Sequence, residues 1–517
     1  MVGENFPNCI MTERPSAGMV VLRTLLLGIF CVVIGWLAAV QAKLGMVPGV
    51  VTGAAIFGIG SFALLRLAGA PGSLWVTFGI KFFSVTAYKI VTVVLVSYLV
   101  KDCGLKDTSA QWLFGVWGMF MSVATLLSGS LTDVLGLRKT LLAGVLLCLV
   151  SRVLMLVSVN PYVVLVLGMV PLAVGEALCT PVLVAATRRF TDTSQRSVAF
   201  SVFYAILNLG FMVGYFVRDG VQQGGPVAVW GMEFSVQRVL FAVSFGIELL
   251  VLPLVLLMRD RSVEGLAMVP VAGFRAAVGQ TAGMFRTMVE HPGFRRLLVF
   301  LLMIGILKIV FNIMDAVLPT FAEREIGGEG AARVGRLNAV NSILILVLAP
   351  AVGMMTRRYS AYAMVIFGGF ITALSFVFLA LPPGWFAGVT AGPVGEWIGR
   401  GYLELKGTVH PYLVMILFWQ VVFSVGEAFY SPRVYEYAVA IAPKGQEASY
   451  ASLSAVPLLM GKMINSALFG TMLSRFCPAE GPRNSSLMWL IGGLLVLAAP
   501  LGLLVLQPYI RVKEEGR

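Results

Sequence analysis

Apolar residues in this chain gather in long runs parted by short polar links. Runs of about 20 residues match the length at which an α-helix crosses the hydrocarbon layer of a membrane. They fall near 19–40, 48–70, 75–99, 112–130, 139–159, 161–186, 197–217 and 236–258, and again near 296–318, 334–354, 361–381, 410–438, 449–474 and 485–508. The pattern predicts an all-α polytopic membrane protein of 14 spans with both termini on one side. Residues 1–18 hold Glu4, Glu13 and only Arg14, and no clear small-residue cleavage site follows the first run, so the first helix is expected to stay.

Composition agrees with a lipid environment: 58% hydrophobic residues, 12% charged and a mean hydropathy of +0.91 leave too little polar surface to coat a soluble globule. With the N-terminus in the cytoplasm, 20 basic residues fall on the inner side and 12 on the outer. That bias favours a plasma (inner) membrane protein with both termini cytoplasmic. The net charge of +13 is then a topology signal; the basic residues are scattered among short loops and make no patch for nucleic acid. The six cysteines form no CxxC pair and are expected to be free, and with His291 and His410 they offer no metal or haem spacing.

One segment occurs twice. VGEALCTP at 174–181 returns 251 residues later as VGEAFYSP at 425–432, and Gln195, Ser201 and Gly210 align with Gln446, Ser452 and Gly461 at the same offset. Each copy sets one carboxylate, Glu176 or Glu427, inside an apolar run, where a charge costs roughly 3 kcal/mol on insertion scales. Two acids at matching places point to a polar path. The repeat divides the chain into a cytoplasmic tail 1–18, an extra two-helix hairpin 19–70, a six-helix bundle 75–258, a linker 259–295, a second six-helix bundle 296–508 and a tail 509–517. In the linker, Phe274, Val278, Phe285 and Met288 recur at helical spacing opposite Arg275 and Arg286, predicting an interfacial amphipathic helix that tethers the halves.

Between the second and third helices of the first bundle the chain reads GSLTDVLGLRK. Gly129, Leu131, Asp133, Gly136, Arg138 and Lys139 match a loop motif, and the segment resembles that of the major facilitator superfamily. Glycines allow a tight turn, while a carboxylate and two cations can make contacts that one conformation keeps and another breaks. Gly129, Asp133, Gly136, Arg138 and Lys139 are therefore gating candidates. The matching place in the second half, GMMTRR at 353–358, has Arg357 where the first copy has Asp133, so the second gate is degenerate.

Three more segments resemble the proton-coupled oligopeptide transporter family within that superfamily. They are FSVFYAILNLG at 200–210, NSILILVLAP at 341–350 and GEAFYSPRVYEYAVAIAP at 426–443. The resemblance implies two six-helix bundles of the major facilitator type, and it assigns Glu427 and Asn341 to the amino end of a peptide. A carboxylate pairs with an ammonium, and an amide both donates and accepts. The family's first-helix acid-acid-arginine motif falls on Lys81, Ser84 and Val85, and its fourth-helix lysine on Thr180, so its coupling machinery is absent or rebuilt here. The extra pair of helices precedes both bundles, where the family's bacterial members carry such a pair between them.

Lys89, Arg152, Glu248, Lys308, Asp315, Arg433, Glu436 and Lys462 also fall in or near spans. Lys308 and Asp315 lie seven apart, which on an ideal helix is one face, with Glu427 and Lys89 as candidate partners across a cavity. Glu176, Lys308, Asp315 and Glu427 are expected to line a midplane site, joined by Asn341, Tyr204, Asn208 and Tyr430. Pro181 and Pro432 can kink their helices. No nucleotide-binding loop occurs. The expectation is a secondary transporter, not an enzyme, without cofactor or metal. It would be a monomer in the bilayer carrying a small polar amine-bearing solute, with a coupling proton or other cation as an open partner. The alternatives are a membrane sensor that binds without moving its ligand, or a facilitator for another solute class.

Overall fold

Every apolar run from residue 72 onward forms a helix in the computed structural model, which describes chiefly residues 67–258, 292–441 and 456–511. The first group is α1 (Gly72–Lys101), α2 (Asp107–Leu135), α3 (Leu137–Val157), α4 (Pro161–Arg189), α5 (Thr193–Gly224) and α6 (Val236–Leu257). The second is α7 (Phe294–Glu325), α8 (Val334–Met355), α9 (Ala361–Ala380), α10 (Pro411–Ile441), α11 (Val456–Phe476) and α12 (Ser485–Val505). Among the described residues, ten helices are long and apolar enough to cross a membrane, and α2 and α11 stand at the places of the remaining two core runs. The predicted hairpin 19–70, the linker 259–295 and the tail 1–18 lie almost wholly outside the described residues.

Local sequence sets several starts. Asn160 accepts from the Tyr162 and Val163 amides with Pro161 behind it, Ser235 caps α6, Ser360 caps α9 and Asn484 caps α12. Each supplies a side-chain oxygen to amides that have no intrahelical partner.

The two groups pack alike. In the first, α1 packs on α5 and α6, α2 on α4, and α3 on α4 and α6. In the second, α7 packs on α11 and α12, α8 on α10, and α9 on α10 and α12. Advancing each label by six converts one set into the other. The main seams between groups, α2 with α11 and α5 with α8, are exchanged by the same operation, so the molecule has an internal two-fold. The largest apolar core belongs to the second group and two smaller ones to the first.

Glycines make the helix pairs close. A Cβ on Gly175 would lie 2.6 Å from Cys148 Sγ and 2.7 Å from the Gly144 carbonyl oxygen, so α3 and α4 meet backbone to backbone. At the matching place in the second half, a Cβ on Gly426 would lie 2.8 Å from the Gly368 carbonyl oxygen, between α9 and α10. Small residues at such crossings let membrane helices approach. The repeated V-G-E-A therefore holds a packing glycine beside each glutamate.

The structure alters three expectations. The segment 129–139 is no open loop: α2 stays helical through Leu135, α3 starts at Leu137, and Gly136 alone makes the turn at φ 83 and ψ 161. That backbone suits glycine and strains other residues. Arg138 and Lys139 are exposed in the first turn of α3, and the side chains of Leu131 and Asp133 lie outside the described set. Second, Lys308 and Asp315 have different partners, Ser431 and Lys89, and a π-helical turn at Ile313–Val317 breaks the ideal α register between them. Third, the connections at one end carry structure of their own, namely a hairpin of β1 (Val227–Val229) and β2 (Met232–Phe234) and several short helices between Pro383 and Tyr402.

Candidate functional site

Glu427 sits on α10 where both halves meet, and it is 2% exposed. Asn341 on α8 donates its amide to Glu427 Oε2 at 2.8 Å and to Ser424 Oγ at 3.1 Å. From the other half, the Tyr204 hydroxyl on α5 donates to Glu427 Oε1 at 3.4 Å. One turn further along α10, Ser431 Oγ accepts Lys308 Nζ at 2.6 Å, and the ammonium lies 4.6 Å from the Phe311 ring centre and 5.1 Å from that of Tyr430. No cation among the described residues lies within ion-pair distance of Glu427. Hydrogen-bond donors hold the carboxylate, and Lys308 attracts it from beyond ion-pair distance, so an ammonium from solution would be its closest cation.

Its twin is engaged differently. On α4, Glu176 Oε1 accepts Arg152 Nη2 at 2.9 Å, and the same guanidinium lies 3.6 Å from Glu248 Oε2 on α6 and donates through Nε to Ser244 Oγ at 2.8 Å. Arg152 and Glu248 are fully buried and Glu176 is 4% exposed. Both repeated acids thus point into protein, yet Glu176 is neutralised within its own bundle. The glycine crossings explain why only one is. Cys148 meets Gly175 as Thr372 meets Gly426, so the counterpart of Arg152, four residues on, is Phe376. Phe376 is buried and brings no charge to Glu427.

A third charge group closes the seam between halves. Lys89 on α1 binds Asp315 at 2.8 and 2.9 Å, and the Tyr215 hydroxyl on α5 donates to Asp315 Oδ1 at 2.9 Å. The Lys89 ammonium also lies 4.1 Å from the centre of the Phe211 ring. The π turn that aims Asp315 at the first half releases backbone carbonyls, and side-chain amides take them up. Gln111 on α2 donates to Ala316 O at 3.1 Å and Asn338 on α8 to Met314 O at 2.9 Å, with Gln420 on α10 donating to Asn338 Oδ1 at 2.7 Å.

Further contacts across the seam lie at the end where α1 finishes. Lys101 pairs with Glu323 at 2.9 Å, and Arg324 pairs with Asp107. Asp219, near the end of α5, accepts the amides of Gly335 at 3.1 Å and Arg336 at 2.6 Å, so an acid of the first half caps α8 of the second. Arg336 reaches on to the Tyr402 carbonyl at 2.9 Å and to Glu404 at 3.2 Å; Glu404 itself has a positive φ of 56°.

Of the expected site residues, Glu427, Asn341, Tyr204, Lys308 and Tyr430 come together. Asn208 is buried and donates to the Tyr204 carbonyl one turn back in α5 at 3.0 Å. Asp315 faces Lys89, and Glu176 faces Arg152. Sequence reasoning passed over Tyr215 and Asp219 and noted Ser431 only as a match within the α10 motif, without a role in the site. A signal for Tyr215 existed, since Tyr204, Asn208, Phe211 and Tyr215 follow at helical spacing along one face of α5.

Residues 77–399 match the Major Facilitator Superfamily family model. No curated protein matches the chain. Among solved structures, the chain resembles a POT family transporter in complex with 5-aminolevulinic acid, at 17% identity and a TM-score of 0.66 over 86% of this chain and 98% of that one. A POT family transporter in complex with a thioalcohol-conjugated peptide gives the same figures. The peptide transporter POT in complex with sulfate aligns at 18% identity and a TM-score of 0.65, covering 86% of this chain and 95% of the other. At such identities the likeness establishes a shared fold.

Proposed function

The chain belongs to the major facilitator superfamily, a family of membrane transporters, and from that premise we propose that it carries a small polar amine-bearing solute, peptide or amino-acid-like, by alternating access. The observation that carries the proposal is Glu427: a buried carboxylate at the meeting of α5, α8 and α10, held by Asn341 and Tyr204, with no described cation within ion-pair distance. An ammonium is the group that such an acid accepts most favourably, because charge and hydrogen bonds are satisfied together. Ligands in complex with the fold's neighbours, a thioalcohol-conjugated peptide and 5-aminolevulinic acid, support the same class.

Rocking of the bundles would break Lys89–Asp315 and the contacts around Asp219 on one side of the site while closing the other, with the turn at Gly136 and the cations Arg138 and Lys139 beside it as part of the opposite gate. A coupled proton or other cation would drive uptake; without one the protein equilibrates its solute. On the bias of its basic residues we put both termini in the cytoplasm, and we take the protein as a monomer of the plasma (inner) membrane. The test is counterflow in proteoliposomes. Glu427→Gln, which keeps the shape and removes the charge, should abolish exchange of amine-bearing solutes while the protein stays monodisperse. Normal exchange by that variant refutes the assignment, and solute binding without any counterflow in the parent protein makes it a sensor.

A further inference from the structure

We infer that Lys308 is the second arm of a two-charge clamp, so that the second bundle alone reads both ends of a small zwitterion: amine on Glu427, acid on Lys308. This rests on the amine role of Glu427 set out above and adds to it a residue and a substrate class. Three buried cations of the first bundle are spent on acids: Lys89 on Asp315, Arg152 on Glu176 and Glu248, and Arg218 on Asp219. Lys308 has a hydroxyl and two aromatic faces, with no acid among the described residues inside ion-pair range. Unlike Lys81, which is buried under the Phe203 ring 4.7 Å away, Lys308 retains partial exposure. A partly wet ammonium held in place by Ser431 can take a carboxylate in exchange for a neutral oxygen, and charge-assisted contacts are the stronger kind.

The spacing sets the size of the solute. Ser431, which accepts Lys308, follows Glu427 by one turn of α10, about 6 Å along the axis. Ammonium and carboxylate must therefore sit no more than about that far apart. Amino acids up to the length of 5-aminopentanoate fit. An extended tripeptide, with ends about 10 Å apart, does not.

The experiment compares 5-aminopentanoate with its amide, which keeps the amine and loses the acid charge, by calorimetric titration of the purified protein. The parent protein should bind the acid at least tenfold more tightly than the amide and should bind trialanine more weakly than either. Lys308→Met should equalise acid and amide, with retained binding of the amide reporting that the variant is folded; Lys308→Arg should restore the preference. If the parent binds both alike, or Lys308→Met keeps the preference, the clamp is wrong and the amine site stands. If Lys81→Met is the change that removes the preference, the acid is read by the first bundle and the inference falls. If no amine binds at all, the clamp and the amine site fall together.

Discussion

At Arg152 one guanidinium faces two carboxylates, Glu176 and Glu248, inside a bundle of helices. Removing the cation leaves two buried acids to be desolvated without it, and the loss of one partner from a buried ion pair costs about 3–5 kcal/mol. Arg152→Met should therefore lower the melting temperature in detergent sharply, and adding Glu176→Gln and Glu248→Gln should recover part of the loss; a triple variant no better than the single one would show that the three do not act as a unit. The repeat set both glutamates in the same local frame, V-G-E-A, and only the family resemblance told Glu427 apart. What separates them comes from another helix: Arg152 in one half, Phe376 in the other. The choice of partner is tertiary, and no local pattern carries it. Ser431 lay inside the motif that resembles the family's, but its partner Lys308 comes from another helix and no local pattern shows it.

Among the elements, α7 departs most from what periodicity foretells. Apolar runs announced every helix of the core, with ends off by a few residues, because length and hydrophobicity suffice to specify a span. A π turn leaves no such trace. It is stabilised by amides on α2 and α8 that cap the displaced carbonyls, and it breaks the α register between Lys308 and Asp315, which pairs with Lys89. A double-mutant cycle measures the result: Lys89→Met and Asp315→Asn should each destabilise more than their combination, with a coupling energy of about 0.5–3 kcal/mol. The repeated glycines make a second prediction. Gly175→Ala and Gly426→Ala each press a methyl into the neighbouring backbone and should cost about 1–3 kcal/mol in thermal unfolding, but Gly426→Ala alone should reduce uptake, since it shifts the helix turn that bears Glu427. At the start of α10, His410 Nδ1 accepts the Tyr412 amide at 3.3 Å, and burial pushes this imidazole below its ordinary value, against the smaller pull of Glu325. A folded pKa below that of the unfolded chain means that the folded state binds fewer protons. The contribution is then present above the usual imidazole range and is lost as pH falls through it. Between pH 7.5 and 5.5 the parent protein should lose more thermal stability than His410→Gln.

For the molecule as a whole, the internal two-fold was legible in the repeat of VGEA at a fixed offset, and the packing of helices confirms it pair by pair. The asymmetry laid over it was not. Charged contacts across the seam gather where α1 ends, and they depend on residues such as Asp219 that lie near helix ends and match no motif. Asp219→Ala should uncap α8 at a cost of about 1 kcal/mol and loosen that end. A cysteine placed at Glu323 should then react faster with a membrane-impermeant maleimide than it does in the parent background; equal rates would show that the cap has no share in the closure.

That cap also has a consequence for energetics. Because the first turn of α8 is completed by a side chain from the opposite bundle, parting the halves there must unravel or rehydrate a helix terminus, whereas parting them elsewhere need not. In the proposed transport cycle the empty protein would therefore rest with that end closed, and binding near the centre would help to offset the loss of the cap.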